Sequence, residues 1–344
     1  MLETVEQRNA LLASIERERD SAVIAYILHD NAVIADDALP HLYDKLHALG
    51  KRPRIDLLLS ARGGVPEVCW RILSLLREYC DHLGVIVSTR VQGAASLLAL
   101  GADEIVMGPL SEMGGVDAIR KHPLMPRDEM GQPLPVSLGE IKSLLRFLSE
   151  QSGDQEAQAG STSKTQNPKP KTHNPGLAPE VLSNLFQYIH PLTIAHLQQA
   201  DTLSREITRK ALRQHIHPEN EDKTDQLVEL FNGGFNSPIY TAGRSELREL
   251  GLPVEEPDKE LWSSIWGLIQ LYQGAIYTDR PDANVPGNFF RYICMIETAG
   301  RSTGLHQSFT QVEGQERIVQ IRWETAIKSS GPGPSIGPGG MSNN

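Results

Sequence analysis

A chain of 344 residues with 43 acidic and 33 basic side chains, a net charge of −10, is long enough for one large domain or two ordinary ones. That acidic balance excludes a broad nucleic-acid-binding face, since phosphate contact needs a concentration of Lys and Arg that is missing here. Three cysteines, Cys69, Cys80 and Cys294, are odd in number and widely spaced, which excludes a disulfide framework or a cysteine zinc site and points to a reducing compartment.

The opening MLETVEQRNALLASIERERD lacks the basic-then-apolar order of a signal peptide. No later run approaches the roughly 20 apolar residues of a spanning helix, so a soluble, cytoplasmic protein without a membrane partner is expected. Residues 1–20 predict an exposed helix whose stripe of Val5, Leu11, Leu12 and Ile15 is incomplete, a lead-in or an oligomer contact. From 22 to 108 strand and helix patterns alternate. AVIAYIL (22–28), IDLLLS (55–60), VIVS (85–88) and EIVM (104–107) are continuous apolar runs of strand length, as strands buried on both faces require. Between the first two, Leu39, Leu42, Leu46 and Leu49 recur at helical spacing; between the second and third, Val65, Val68, Cys69, Ile72, Leu76 and Tyr79 do so. This order predicts a parallel sheet with right-handed crossovers.

Beyond residue 120 comes a proline-rich loop, then a helix over 136–150 marked by Ile141, Leu144, Leu145 and Leu148. Residues 151–177 are a polar insertion too poor in apolar surface to offset its ordering entropy, and are expected to be disordered. A helical section over 178–278 includes a long helix from about Pro191 to Gln214, then DQLVELFN, SELRELG and KELWSSIWGLIQLYQ, with Trp262 and Trp266 on the core side of the last. The C-terminal extension, 279–344, holds one alternating stretch, RIVQIRWET, and a flexible glycine- and proline-rich tail. The expected organisation is thus an N-terminal helix (1–20), a core (21–150), the insertion, the helical section and the extension.

Two loops at strand ends can carry chemistry. SARGG (60–64) joins a strand to a helix, and the pair Gly63 and Gly64 lets backbone N–H groups face an incoming oxygen, as an oxyanion hole requires; the same turn also serves as a simple tight corner. The second, Gly93-Ala94-Ala95-Ser96, opens a short helix, where the Ser96 hydroxyl either gains from the helix dipole or merely caps or packs. No GxGxxG or GxxxxGK[ST] is present, and His215 and His217 have no ligand set of recognised spacing, so neither cofactor nor metal is expected.

Taken together, "IDLLLSARGGVPEVCWRILSLLREY" and "GAASLLALGADEIVMGPLSEMGGVDA" resemble the serine dehydrogenase proteinase family, serine peptidases of the Clp protease and crotonase superfamily related also to signal peptide peptidase. "YIHPLTIAHLQQADTLSREITRKAL" and "FNSPIYTAGRSELRELGLPVEEPDKELWSSIWGLIQLY" look like its later helical blocks, so the resemblance covers about residues 20–275. It implies an α/β fold with the Clp protease/crotonase-like spiral core of parallel strands and helices, a helical C-terminal section, a peptide or protein ligand, and a homo-oligomer. Laid on the family's Ser-Ala-Gly/Ala-Thr-Leu-Leu-Ala-Leu segment without a gap, the nucleophilic serine falls on Gly93 and the threonine on Ser96. The family's Gly-Pro-Ile-Asp-Pro turn has become Gly114-Gly115-Val116-Asp117-Ala118, a histidine usual near the later "PI" block is Asn236 or Ser237, and the strand end usually occupied by His or Asn is Ser60.

A rival register that follows the Clp subunit's Gly-Gln-Ala-Ala-Ser makes Ser96 the nucleophile, but it deletes about a helical turn before GAD. A shift of three residues moves the hydroxyl roughly 4.5 Å along the axis and turns it about 300°. An attack geometry tolerates far less. Candidate bases are His122 and Lys142, with Asp117 to orient a histidine; Gly63, Gly64, Gly93 and Ala94 would form the oxyanion or peptide-binding pocket. The preferred expectation is a catalytically degenerate peptidase that binds peptide or regulates a partner. The alternative is an active serine hydrolase using Ser96, and crotonase-like acyl-thioester chemistry is a third option needing only the amide pocket and carboxylates.

Overall fold

The computed structural model describes residues 2–116, 143–144, 186, 190–216, 220–235, 240–281, 285, 287–312 and 315–327. The chain divides into two compact units, Met1–Gly114 with Thr241–Asn344, and Gly115–Tyr240.

In the first unit α1 (Leu2–Arg19) leads into β1 (Ala22–Leu28), α2 (Leu39–Leu49), β2 (Arg52–Ala61), α3 (Pro66–Tyr79), β3 (Cys80–Val91), a 3-10 turn at Gly93–Ala95 running into α4 (Ser96–Leu100), then β4 (Glu104–Met107) and β5 (Glu112–Gly114). The second unit contains α5 (Pro191–Leu212) and α6 (Glu221–Glu229). The chain re-enters the first unit as β6 (Thr241–Gly243), α7 (Arg244–Glu249), β7 (Val254–Glu255), α8 (Lys259–Ile276), β8 (Arg280–Pro281), β9 (Asn288–Thr298), β10 (Arg301–Val312) and β11 (Gln315–Ile327).

The four apolar runs form a parallel sheet in the order β1-β2-β3-β4, continued by β7 beside β4, with Leu57 opposite both Ile24 and Val85. Their lack of alternation has a physical cause. On one face Val23, Ala25, Ile27, Leu58, Ile86 and Val106 pack with Leu12 and Ile15 of α1 and with Leu261, Ile265 and Leu268 of α8. The alternate set, including Ile24, Tyr26, Leu57, Leu59, Val85 and Val87, is equally buried, and α3 packs on β2 and β3. The result is a mixed α/β unit with a largely parallel sheet and helices on both faces.

Three features depart from the expectation. The N-terminal helix is not an exposed lead-in: Leu12 and Ile15 are fully buried, and Arg8, 3% exposed, makes paired 2.8 Å hydrogen bonds to Glu297 of β9. This charged side chain sits in the core because bidentate pairing offsets its desolvation. The C-terminal segment is more than one strand: β9 pairs antiparallel with β1, Tyr26 opposite Ile296, and β10 and β11 extend the sheet outward. α8, read from sequence within the helical section, belongs to the first unit.

In the second unit, α5 and α6 pack together, and a π-turn over Leu230–Gly234 places Asn232 in the interior. Its amide donates to Val228 O (2.9 Å) and Thr208 Oγ1 (3.0 Å), and its oxygen accepts from Ser204 Oγ (2.9 Å). Among the described residues, no helix is long and apolar enough to cross a membrane, and no cluster of three His, Cys, Asp or Glu side chains could hold a metal ion. Cys69, Cys80 and Cys294 are buried and free.

Candidate functional site

β2 and β3 leave the sheet side by side, and the Gln92 amide, donating to Ala61 O at 2.9 Å, ties the two exits together. On the other flank of β2, Ile34 beyond the end of β1 forms a one-residue parallel bridge with Gly64. The Ile34 amide donates to Gly63 O (3.2 Å), and its carbonyl accepts from the Val65 amide (3.0 Å). In an extended segment a residue's own amide and carbonyl point away from the side used by the carbonyl before it and the amide after it. The Gly64 N–H is therefore turned from Ile34 towards the β3 exit, and among the described residues it meets no acceptor.

Gly93 lies at that exit. Its φ of +59° is in the left-handed region, and a Cβ on it would stand 3.1 Å from Gly63 Cα and 3.5 Å from Arg62 O. A Cβ on Gly64 would stand 2.9 Å from Ile34 Cβ and 3.1 Å from Cys69 Sγ. Glycine is a steric requirement at position 64, and at position 93 a side chain would be strained by the left-handed backbone and tight against Gly63, whereas Gly63 has ordinary room, 3.6 Å to Val33 Cγ1. Ala94 follows at the start of the short helical turn, where an amide has no intrahelical acceptor. The two loops thus meet backbone to backbone, Gly63 against Gly93, with the amides of Gly64 and Ala94 beside a contact that carries no side chain.

Ser96, the first residue of α4, is fully buried. Its Oγ donates to Gly114 O at 2.8 Å and lies 3.3 Å from Val91 O, so it neither caps the helix nor opens onto solvent. It clasps the ends of β5 and β3, which pair in parallel just before it. Asp117, His122, Lys142, Ala118, His217, Asn236 and Ser237 lie outside the described residues.

A cleft of about 420 Å³ opens at the carboxyl ends of β1, β2 and β3 beside the last turn of α8, with Asp30, Arg62, Arg90 and Tyr277 on its walls. Gly63, Gly64, Gly93 and Ala94 do not line it. Asp30 accepts from the Tyr277 hydroxyl (2.8 Å) and pairs with Arg62 (2.9 Å). Burial and that hydrogen bond push the Tyr277 hydroxyl up to about 12. The His29 ring packs against Tyr277, and burial together with the charge of Arg291 holds its imidazole below the ordinary value. Arg90 pairs with Glu112 (2.9 Å), which also accepts from Thr241 Oγ1 (2.8 Å); Thr241 and then Arg90 hold that carboxyl below its ordinary value, against the effect of burial. Sequence reasoning missed these groups. Arg62 stands inside SARGG, but Tyr277 arrives from more than 200 residues away with no local signal.

No family model matches the chain. An uncharacterized protein of Methanocaldococcus jannaschii is 30% identical over 125 residues, 33% of this chain, and the match spans only 42% of that protein's length. Among solved structures, a lysine-to-alanine mutant of a membrane-bound stomatin-specific protease in complex with a substrate peptide is similar at 16% identity over 34% of this chain and 53% of that one, with a TM-score of 0.23.

Proposed function

We propose that this is a serine-peptidase-like protein of the Clp protease and crotonase type whose nucleophile position is occupied by Gly93, acting as a catalytically degenerate peptide-binding or regulatory subunit. The observation that carries the reading is the contact of Gly93 with Gly63. The strand-to-helix turn on which hydrolases hold a nucleophile is present, left-handed in backbone, and crowded for a side chain by the loop opposite. What remains is backbone: the Gly64 amide facing that turn and the Ala94 amide beyond it. Such donors suit the carbonyls of an extended peptide, which binds through main-chain hydrogen bonds as an added strand does. The spiral core, the homo-oligomer and a cytoplasmic setting belong to the same proposal.

Ser96 supports this reading more than the active-hydrolase one. To attack, its hydroxyl would have to leave the Gly114 carbonyl and reach a substrate from a fully buried position. Hydrogen exchange of the full chain with and without a pool of extended peptides tests the proposal. Protection of the Gly64 and Ala94 amides on peptide addition, with the peptides recovered intact, is the expected result; peptide cleavage, or no protection at either amide, contradicts it.

A further inference from the structure

On the sheet face that α8 covers, the strands present an apolar column: Ala25 and Ile27 in β1, Leu58 in β2 and Ile86 in β3. Side chains alternate along a strand, so the next positions on this face are Ser60 in β2 and Ser88 in β3. The column turns from hydrocarbon to hydroxyl at the strand ends. There a narrow recess of about 30 Å³, walled by Ile27, Ser60, Ser88 and Tyr272, shares Ser60, Thr89, Gln273 and Tyr277 with the wider cleft of about 420 Å³.

Ser88 is 1% exposed, and its hydroxyl has no hydrogen-bond partner among the described residues. The nearby Ser111 hydroxyl serves the carbonyls of Val87 and Ser88 instead. Buried hydroxyls are almost always paired, so an unpaired one on the wall of a recess marks the place of a polar atom brought from outside. A water alone would satisfy the hydroxyl; the walls above it call for more.

Arg62 and Arg90 stand on those walls, 45% and 39% exposed, each held by one carboxylate: Arg62 Nε by Asp30, and Arg90 Nε and Nη2 both by the single oxygen Oε2 of Glu112. A guanidinium has five N–H donors, so both retain donors for another acceptor. The hydroxyls of Ser60 and Thr89 add to a lining that favours anionic oxygen. Because each arginine is already partly neutralised, the cleft suits a singly charged carboxylate better than a dianionic phosphate, and its volume matches a small molecule.

We propose that this cleft is a binding site for a small hydroxy-carboxylic acid, its carboxylate on Arg62 and Arg90 and its hydroxyl entering the recess against Ser88. The site is independent of the peptide-binding reading, since none of that pocket's glycines lines it.

Isothermal titration of the full chain with L-lactate, propionate and glycerol 3-phosphate tests it. Lactate, a singly charged hydroxy acid, is expected to bind, propionate, which lacks the hydroxyl, roughly tenfold more weakly, and glycerol 3-phosphate more weakly than lactate. Ser88→Ala should erase the preference for lactate over propionate, and Arg90→Gln should weaken lactate by roughly tenfold. Arg62→Gln, on a different ion pair, gives the same reading if Arg90→Gln disturbs Glu112. Absence of saturable lactate binding at millimolar concentration, tighter binding of glycerol 3-phosphate, or lactate affinity unchanged in folded Ser88→Ala and both arginine variants would overturn the proposal.

Discussion

Gly93 and Gly63 meet so closely that a Cβ on Gly93 would lie 3.1 Å from the Gly63 Cα, at a φ of +59° that side chains disfavour. Gly93→Ala should therefore destabilise the chain by at least about 1–2 kcal/mol from the left-handed backbone alone, with the contact adding to it. Urea unfolding measures this directly. Gly93→Ser should behave the same way and gain no hydrolytic activity; a stable, active Gly93→Ser would mean the loop relaxes and the turn is only dormant.

Ser96→Ala removes a buried donor from Gly114 O, a strand residue opposite Thr241. A loss of about 1–3 kcal/mol in urea unfolding is expected, with peptide affinity unchanged. A change in affinity with no loss of stability would assign Ser96 to the site and not to the framework.

Arg8→Met leaves Glu297, 1% exposed, charged and without its guanidinium partner. Breaking a buried pair this way costs about 3–5 kcal/mol, and the double variant Arg8→Met with Glu297→Met should recover much of it. Equal instability of the single and double variants would show that α1 docks without this pair.

Acid sensitivity follows from three carboxyls. Burial would raise Asp103, Glu104 and Glu297, but hydrogen bonds and charge from Arg77, from Arg19 with Arg54, and from Arg8 outweigh it and hold each below its ordinary value. Below their unfolded values of about 4 the unfolded chain binds the extra protons, so their contribution is complete above that pH and is lost as pH falls through the lower folded values. Stability measured against pH should fall on acidification there, and Glu104→Gln should flatten the slope. An unchanged slope would remove Glu104 from this account.

Lys45 gives a slope of the same sign in a higher pH window. It is 4% exposed, and burial pushes its amine down to about 8 from 10.5. Between these values the unfolded chain holds the proton and the folded chain does not, so stability attributable to Lys45 rises with pH across that window. Lys45→Met should be more stable than the native chain at neutral pH, with the advantage shrinking as pH passes through the window. A constant advantage would mean packing, not charge, decides it.

The parallel sheet was legible because its strands are buried on both faces, so Ala22–Leu28 and Glu104–Met107 stand out as unbroken apolar runs. β9 and β10 were not, since polar and apolar residues mix in them and the pairing of β9 with β1 spans more than 250 residues. At the site, the glycine pairs were visible as composition. What favours glycine at position 93, its tight contact with Gly63, depends on two strand exits lying side by side. Ser96 shows the limit best: a serine at a strand-to-helix junction looks like a cap or a nucleophile, and only the position of Gly114 O identifies its partner.

The central claim of the proposal is that no serine among the described residues is poised to attack. Labelling of the full-length protein with a fluorescent fluorophosphonate, beside a serine peptidase that reacts under the same conditions, is its most direct test. No labelling of the native chain is the predicted result; labelling that disappears in Ser96→Ala would contradict it.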